Sequence, residues 1–135
     1  MKKYRGEIVP EALGPEGRQP ELYQVDDQPA QVAAVIERLC GREEVPPQDV
    51  VVLSSHAFEN SEVAQSPMGS YRLVSERNQP GKRIHFSSIR GFKGLESKVV
   101  ILCELEDTDE LSRDAQLYVG ISRAVNHCVI VAPKP

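Results

Sequence analysis

With 135 residues, the chain has room for one core-forming domain and is too short for a two-domain motor. An apolar fraction of 40% and a charged fraction of 27% fit a globular protein rather than a disordered or fibrous one. The 16 basic and 20 acidic residues leave a net charge of -4, which argues against a free-standing nucleic-acid binder held by bulk charge.

The first 20 residues scatter Pro10, Gly14, Pro15, Gly17 and Pro20 among polar side chains. They read as an extended lead-in, residues 1–20, to a single domain over residues 21–135. The charged start, Met1–Glu7, is followed by no apolar segment, so no secretory leader is expected. No apolar run reaches the roughly 18 residues of a membrane span, so no membrane partner is expected either. Leu22–Val25 predicts a short strand. Asp26, Asp27 and Pro29 then supply an N-cap acid and an early helical proline. Val32, Val35, Ile36 and Leu39 follow at helical spacing, and Gly41 is expected to close that helix.

Three apolar runs, Val50–Leu53, Val99–Cys103 and Cys128–Ala132, do not alternate with polar residues. Unbroken β-branched runs of that length suit parallel strands buried on both faces. Arg83–Phe86 is a weaker strand candidate, and residues 58–81 read as loop with a strand near Tyr71–Leu73. Ser112 is placed to cap a helix running through Ala115, Leu117, Tyr118 and Ile121 to Ala124. Strands interleaved with helices predict a three-layer α/β sandwich with a mainly parallel central sheet. Cys40, Cys103 and Cys128 are odd in number, far apart and lack metal-ligand spacing, so a reducing cytoplasm is expected.

Two segments carry candidate chemistry. In Ser88–Glu96, Gly94 lets the backbone approach a ligand, Lys93 offers charge to a phosphate, and Glu96 offers acceptors to a ribose hydroxyl. Such loops bind ligands when they lie at the carboxyl ends of strands, and this one follows Arg83–Phe86. The spacing alone equally describes a glycine turn with a solvated lysine. In Leu117–Ala124, Arg123 ends a predicted helix. A cation there complements the helix dipole and needs no further role.

Ser88-Ile89-Arg90-Gly91-Phe92-Lys93-Gly94-Leu95-Glu96, followed by the Val99 run, resembles motif V of UvrD/Rep-like superfamily 1 helicases. Leu117-Tyr118-Val119-Gly120-Ile121-Ser122-Arg123-Ala124 resembles motif VI of the same family. The resemblance implies the second RecA-like domain (P-loop NTPase-like) of a DNA helicase. Ser88 and Arg90 would then face single-stranded DNA, with serine and arginine standing where that family often has threonine and histidine. Lys93, Gly94 and Glu96 would face the γ-phosphate and ribose of ATP. Arg123 would be the finger that reaches a γ-phosphate bound by the first RecA-like domain, stabilising the charge that spreads over the leaving phosphoryl oxygens. A lysine would not reproduce its forked donors.

Asp49–Leu53 resembles motif IV more thinly, and Ser55 stands where that motif usually carries a second phosphate-sensing arginine. No Gly-x-x-x-x-Gly-Lys-[Ser/Thr] occurs, so ATP and magnesium would be held mainly by the first RecA-like domain. Glu104, Glu106 and Asp107 follow a strand and read as solvated acids. The serine at position 55 motivates an alternative, a degenerate helicase-like domain that mediates protein contacts. A KH-like RNA-binding module is a second alternative, since Gly91–Gly94 fits its Gly-x-x-Gly loop. That fold would continue into a helix, whereas Ser97–Leu102 reads as a strand. Ser54, Ser55 and His56 lack the Gly-x-Ser-x-Gly elbow of a hydrolase.

Overall fold

Val50–Ser54 is buried at every position, as its unbroken apolar run requires, and it forms the middle of the sheet. The computed structural model describes residues 19–107 and 112–135. In chain order the main elements are β1 (Glu21–Val25), α1 (Gln28–Ile36), β2 (Val50–Ser54), β3 (Arg72–Val74) and β4 (Arg83–Ser88). They continue with β5 (Ser97–Cys103), α2 (Arg113–Ser122) and β6 (Ala124–Pro133). Among the described residues the strands form one six-stranded sheet in the order β1-β6-β5-β2-β4-β3. Every pairing is parallel, where a mainly parallel sheet was expected. All strands therefore begin at one edge of the sheet and end at the other, here called the amino and carboxyl edges.

Alternate residues of the central strands feed two separate cores. Val50, Val52, Ile101, Cys103, Val129 and Val131 pack beneath Val32, Val35 and Ile36 of α1. Val51, Leu53, Val100, Leu102, Cys128 and Ile130 pack against Leu117 and Ile121 of α2. One helix on each face gives the three-layer α/β arrangement expected from the sequence. The continuation of residues 91–94 into strand β5 rather than a helix excludes the KH-like alternative. Buried large side chains such as Phe86 and Phe92 each contribute about 1.5–3 kcal/mol relative to exposure. Helix α2 approaches β5 closely through Gly120: a Cβ there would stand 2.2 Å from the Leu102 side chain.

Local signals explain most boundaries. Asp27 Oδ1 accepts from Ala30 N at 3.1 Å and caps α1, with a proline in the first turn. Ser112 Oγ accepts from Ala115 N at 3.1 Å and caps α2 as anticipated. Several boundaries differ from expectation: α2 ends at Ser122 rather than Ala124, and β6 starts at Ala124 rather than Cys128 because it pairs with the start of β5. Rather than closing at Gly41, the first helix widens into a π-helical turn over Glu37–Arg42. The Glu37 carboxylate folds back over Gly41, 2.6 Å from where a Cβ would stand. Strand β4 runs to Ser88 rather than Phe86 because residues 85–88 pair with residues 51–54 of β2. Cys103 and Cys128 are fully buried and Cys40 partly so, and burial raises all three thiols. No helix among the described residues is long and apolar enough to cross a membrane. The expected lead-in falls on residues 1–18, outside the described residues, apart from its last two positions.

A polar network fastens edge strand β1. Glu21 accepts from Arg38 Nη2 at 2.7 Å and from the Tyr23 hydroxyl at 3.0 Å, and lies 2.6 Å from Nε2 of the buried His127. Burial alone would raise the Glu21 carboxyl, but hydrogen bonds from His127, Arg38 and Tyr23 outweigh it and hold the group below its ordinary 4.5. A depressed carboxylate contributes stability that is present above its unfolded value and is lost as pH falls through its folded one. Glu21→Gln is therefore expected to narrow the difference in Tm between about pH 7 and about pH 3. Paired melting curves check this, and an unchanged difference would count against the network as a contributor.

Candidate functional site

Strands β4 and β5 lie on either side of β2, so the chain linking them must pass over β2. It does so on the α2 side, where Ile89 and Phe92 are buried with Val51, Leu53 and Leu102. This crossover separates the two halves of the motif-like segment. Ser88 ends β4 at the carboxyl edge, whereas Glu96 immediately precedes β5 at the amino edge. A five-residue strand spans roughly 17 Å, so one phosphate does not touch both. The Lys93–Glu96 turn thus lies before β5, at its amino end, and only Ser88 and Arg90 follow a carboxyl strand end directly.

At the amino edge the structure brings the Lys93–Glu96 turn and Arg123 together. Helix α2 begins at the carboxyl edge and returns across the sheet, so its C-cap, Arg123, arrives where β5 and β6 start. Ser97 N donates to the Arg123 carbonyl at 3.0 Å, which makes Glu96 and Arg123 neighbours of one hydrogen bond. Arg123 N in turn donates to Val119 and Gly120 carbonyls, so the helix end is closed through this residue. Its Nε is buried and has no hydrogen-bond partner. Lys93, Gly94, Leu95 and Glu96 are all exposed. Gly94 has φ +80, and no atom lies within 4 Å of where its Cβ would stand. That backbone conformation, rather than close packing, is why glycine suits the turn. The open space above it leaves the backbone accessible.

At the carboxyl edge Ser88 Oγ accepts from Gly91 N at 2.9 Å and shapes the short 3-10 turn Arg90–Phe92. Its hydroxyl proton is not committed by that bond. Gly91 sits close against this hydroxyl, since a Cβ would come within 3.0 Å of Ser88 Oγ. Arg90 is exposed on the same turn. Ser55, at the motif IV-like position, donates its hydroxyl to the Glu104 carbonyl at 2.5 Å and so links β2 to β5. His56 Nε2 lies 3.4 Å from Glu106.

Glu104 is not a solvated acid. Its Oε1 accepts from the hydroxyls of Ser54 at 2.7 Å and Ser61 at 2.6 Å. Its Oε2 accepts from the backbone N–H groups of Glu62 at 2.9 Å and Val63 at 3.2 Å. Its own N–H donates to Gln28 Oε1 at 2.7 Å, and its φ of 52 lies in the left-handed region. Four donors thus surround one carboxylate at the point where β2 and β5 send their connections to opposite faces. A crevice of about 410 Å³ opens beside it, lined by Gln28, His56, Asn60, Glu106 and Arg113 among others. The sequence carried no local trace of this junction, since Ser54 and Ser61 lie 50 and 43 residues from Glu104. A second side chain outside the motif-like segments, Arg77, donates from Nη2 to the Glu96 carbonyl at 2.6 Å. Nothing in the spacing of residues 58–81 foretold it.

Among the described residues no group of three or more His, Cys, Asp or Glu side chains is placed to hold a metal ion. Residues 30–132 match the family model described as the viral superfamily 1 RNA helicase core domain. No curated protein matches the sequence. Among solved structures, the C-terminal domain of a possible DNA helicase from Lactobacillus plantarum WCFS1 is similar, with a TM-score of 0.66 at 17% sequence identity. The alignment covers 87% of this chain and 76% of that one, and at this identity it shows the shared fold alone.

Glu104→Gln would turn one carboxylate oxygen into a donor facing either two hydroxyls or two N–H groups. The stranded donors are expected to cost about 1–3 kcal/mol. Urea unfolding of the two proteins checks this, and an unshifted midpoint would show that the junction does not depend on the charge.

Proposed function

The chain belongs to the viral superfamily 1 RNA helicase core domain family, and from that premise we propose that it is the second ATPase domain of a helicase, the one that completes a nucleotide site without holding the nucleotide alone. The observation that carries the reading is the convergence at the amino edge. Arg123 closes α2 with an unpartnered Nε, one hydrogen bond away from the open Lys93–Glu96 turn. In this reading ATP and magnesium are bound mainly by a P-loop domain facing that edge. The finer affiliation with UvrD/Rep-like DNA helicases, and single-stranded DNA as the partner, are parts of the same proposal.

The roles follow from the chemistry of each side chain. Arg123 directs planar donors at the γ-phosphoryl oxygens as negative charge spreads over them, which lowers the barrier and signals that nucleotide is bound. Lys93 adds a mobile positive charge beside the phosphates. Gly94 lets the backbone come close, and the Glu96 carboxylate accepts from a ribose hydroxyl. Magnesium, held with the ATP mainly by the P-loop domain in this reading, would supply charge neutralisation on the phosphates. At the opposite edge Ser88 and Arg90 contact the backbone of a single strand, in a sequence-independent and salt-sensitive way. The crossover then links nucleic acid at one end to nucleotide at the other.

In the complete ATPase, with the P-loop domain present, Arg123→Ala is expected to lower turnover by about 10³-fold or more while sparing nucleotide binding. Steady-state ATPase assays with and without oligo-dT, and with oligo-U in parallel, read this out. Undiminished turnover would remove Arg123 from the site. The chain on its own is expected to show no strand-stimulated hydrolysis.

A further inference from the structure

The Lys93–Glu96 turn is exposed along its whole length, and its nearest supports are few. Leu95 N donates to the Phe92 carbonyl at 3.0 Å within the turn itself. On one side, Ser97 N is tied to the Arg123 carbonyl. On the other, Arg77 reaches in from the loop between β3 and β4 and donates to the Glu96 carbonyl. Its guanidinium lies 5.3 Å from the centroid of the Phe92 ring. Phe92 is itself only 1% exposed and fixed over the sheet, so the charged group rests on an immobile platform. His85 of β4 supports that ring from a centroid distance of 5.9 Å. Desolvation, and then the charge of Arg77, lower the His85 imidazole from its ordinary 6.5. Both causes favour the uncharged imidazole beside the guanidinium.

We propose that Arg77 is a positioning residue for the nucleotide-facing turn: clamped between the Phe92 ring and the Glu96 carbonyl, it fixes the backbone that carries Gly94 and the Glu96 carboxylate. The inference rests on the reading of this edge as one wall of an ATP site. An arginine suits the task because its flat face stacks on the ring while its edge donates to the carbonyl. A turn left loose must be ordered by the ligand at the moment of binding, and that cost weakens binding. The clamp acts through Glu96 and not on the transferring phosphoryl group. Its loss therefore falls on the nucleotide KM, whereas loss of Arg123 falls on kcat.

The test compares R77A, R77K and R123A in the complete ATPase, with ATP KM, kcat and Tm measured for each. R77A is expected to raise KM about tenfold with kcat within about twofold of the parent. R77K, which keeps a cation but cannot stack on the ring and donate to the carbonyl at once, is expected to recover KM only in part, to about threefold to fivefold above the parent. R123A is expected to lower kcat with KM little changed. If R77A leaves KM unchanged, or lowers kcat alone, while R123A still collapses turnover, the Arg77 assignment is overturned and the site reading stands. A Tm loss in R77A with no KM change likewise reduces Arg77 to a structural role. Full turnover in R123A would sink the site reading, and the clamp with it. If R77A fails to fold, R77Q, which keeps a donor but loses the stacked charge, is judged by the same KM criterion.

Discussion

Between Ser88 at the carboxyl edge and Ser97 at the amino edge, the chain crosses the depth of the sheet over the face of β2. Burial of Ile89 and Phe92 against Val51 and Leu53 is what fixes that path. An apolar anchor in mid-crossover leaves both ends of the segment polar and outward. Ser88 and Arg90 are thereby committed to one edge, and Lys93–Glu96 to the other. Without Phe92 in the core, the crossover would keep Ile89 as its one buried apolar anchor on β2. The Arg77 guanidinium would also lose the ring on which it rests.

Helix α2 supplies the second constraint. A parallel β5–α2–β6 unit must return the chain to the amino edge before β6 begins, so the helix ends exactly where the turn 93–96 lies in space. Tight contact through Gly120 keeps α2 low on β5, and the Ser97–Arg123 hydrogen bond joins helix end to strand start. Charge is distributed to match. The chain is acidic overall, yet Lys93, Arg123 and Arg77 gather at or against the amino-edge turn. At the carboxyl edge the Glu104 charge is satisfied internally by four donors and so serves the junction of β2 and β5.

How much of this was legible in the sequence depended on the range of the interaction. The strands Val50–Leu53, Val99–Cys103 and Cys128–Ala132 could be read because a doubly buried strand needs an unbroken apolar run. Asp27 and Ser112 could be read because capping acts within three residues. Gly94 and Arg123 stood out through motif resemblance, and the structure sets their segments side by side. Glu104 was misread because its four donors come from residues 54 and 61–63, far from it in sequence. Arg77 was invisible for the same reason: its partners, Phe92 and Glu96, are non-local, and its own segment is polar and aperiodic. Which edge each half of Ser88–Glu96 occupies follows from the parallel direction of β4 and β5, whereas the path over β2 depended on strand order, which local spacing does not encode.

The geometry also explains why this edge would serve as only one wall of a nucleotide site. Phosphate cradles are commonly built from helix N-termini, whose exposed N–H groups and positive dipole end attract anions. Both α1 and α2 begin at the carboxyl edge. Both therefore run toward the amino edge and present C-termini there, α2 among them, whose carbonyl dipoles repel a phosphate. On the proposed reading Arg123 reverses that sign at one point: its cation is favoured by the helix end and is offered to an anion beyond it. A single fixed cation on an otherwise unfavourable helix terminus can stabilise charge on a phosphoryl group already held by another domain. It is a poor means of capturing a free triphosphate. On the proposed reading, dependence on a P-loop partner is thus built into the direction of α2 itself.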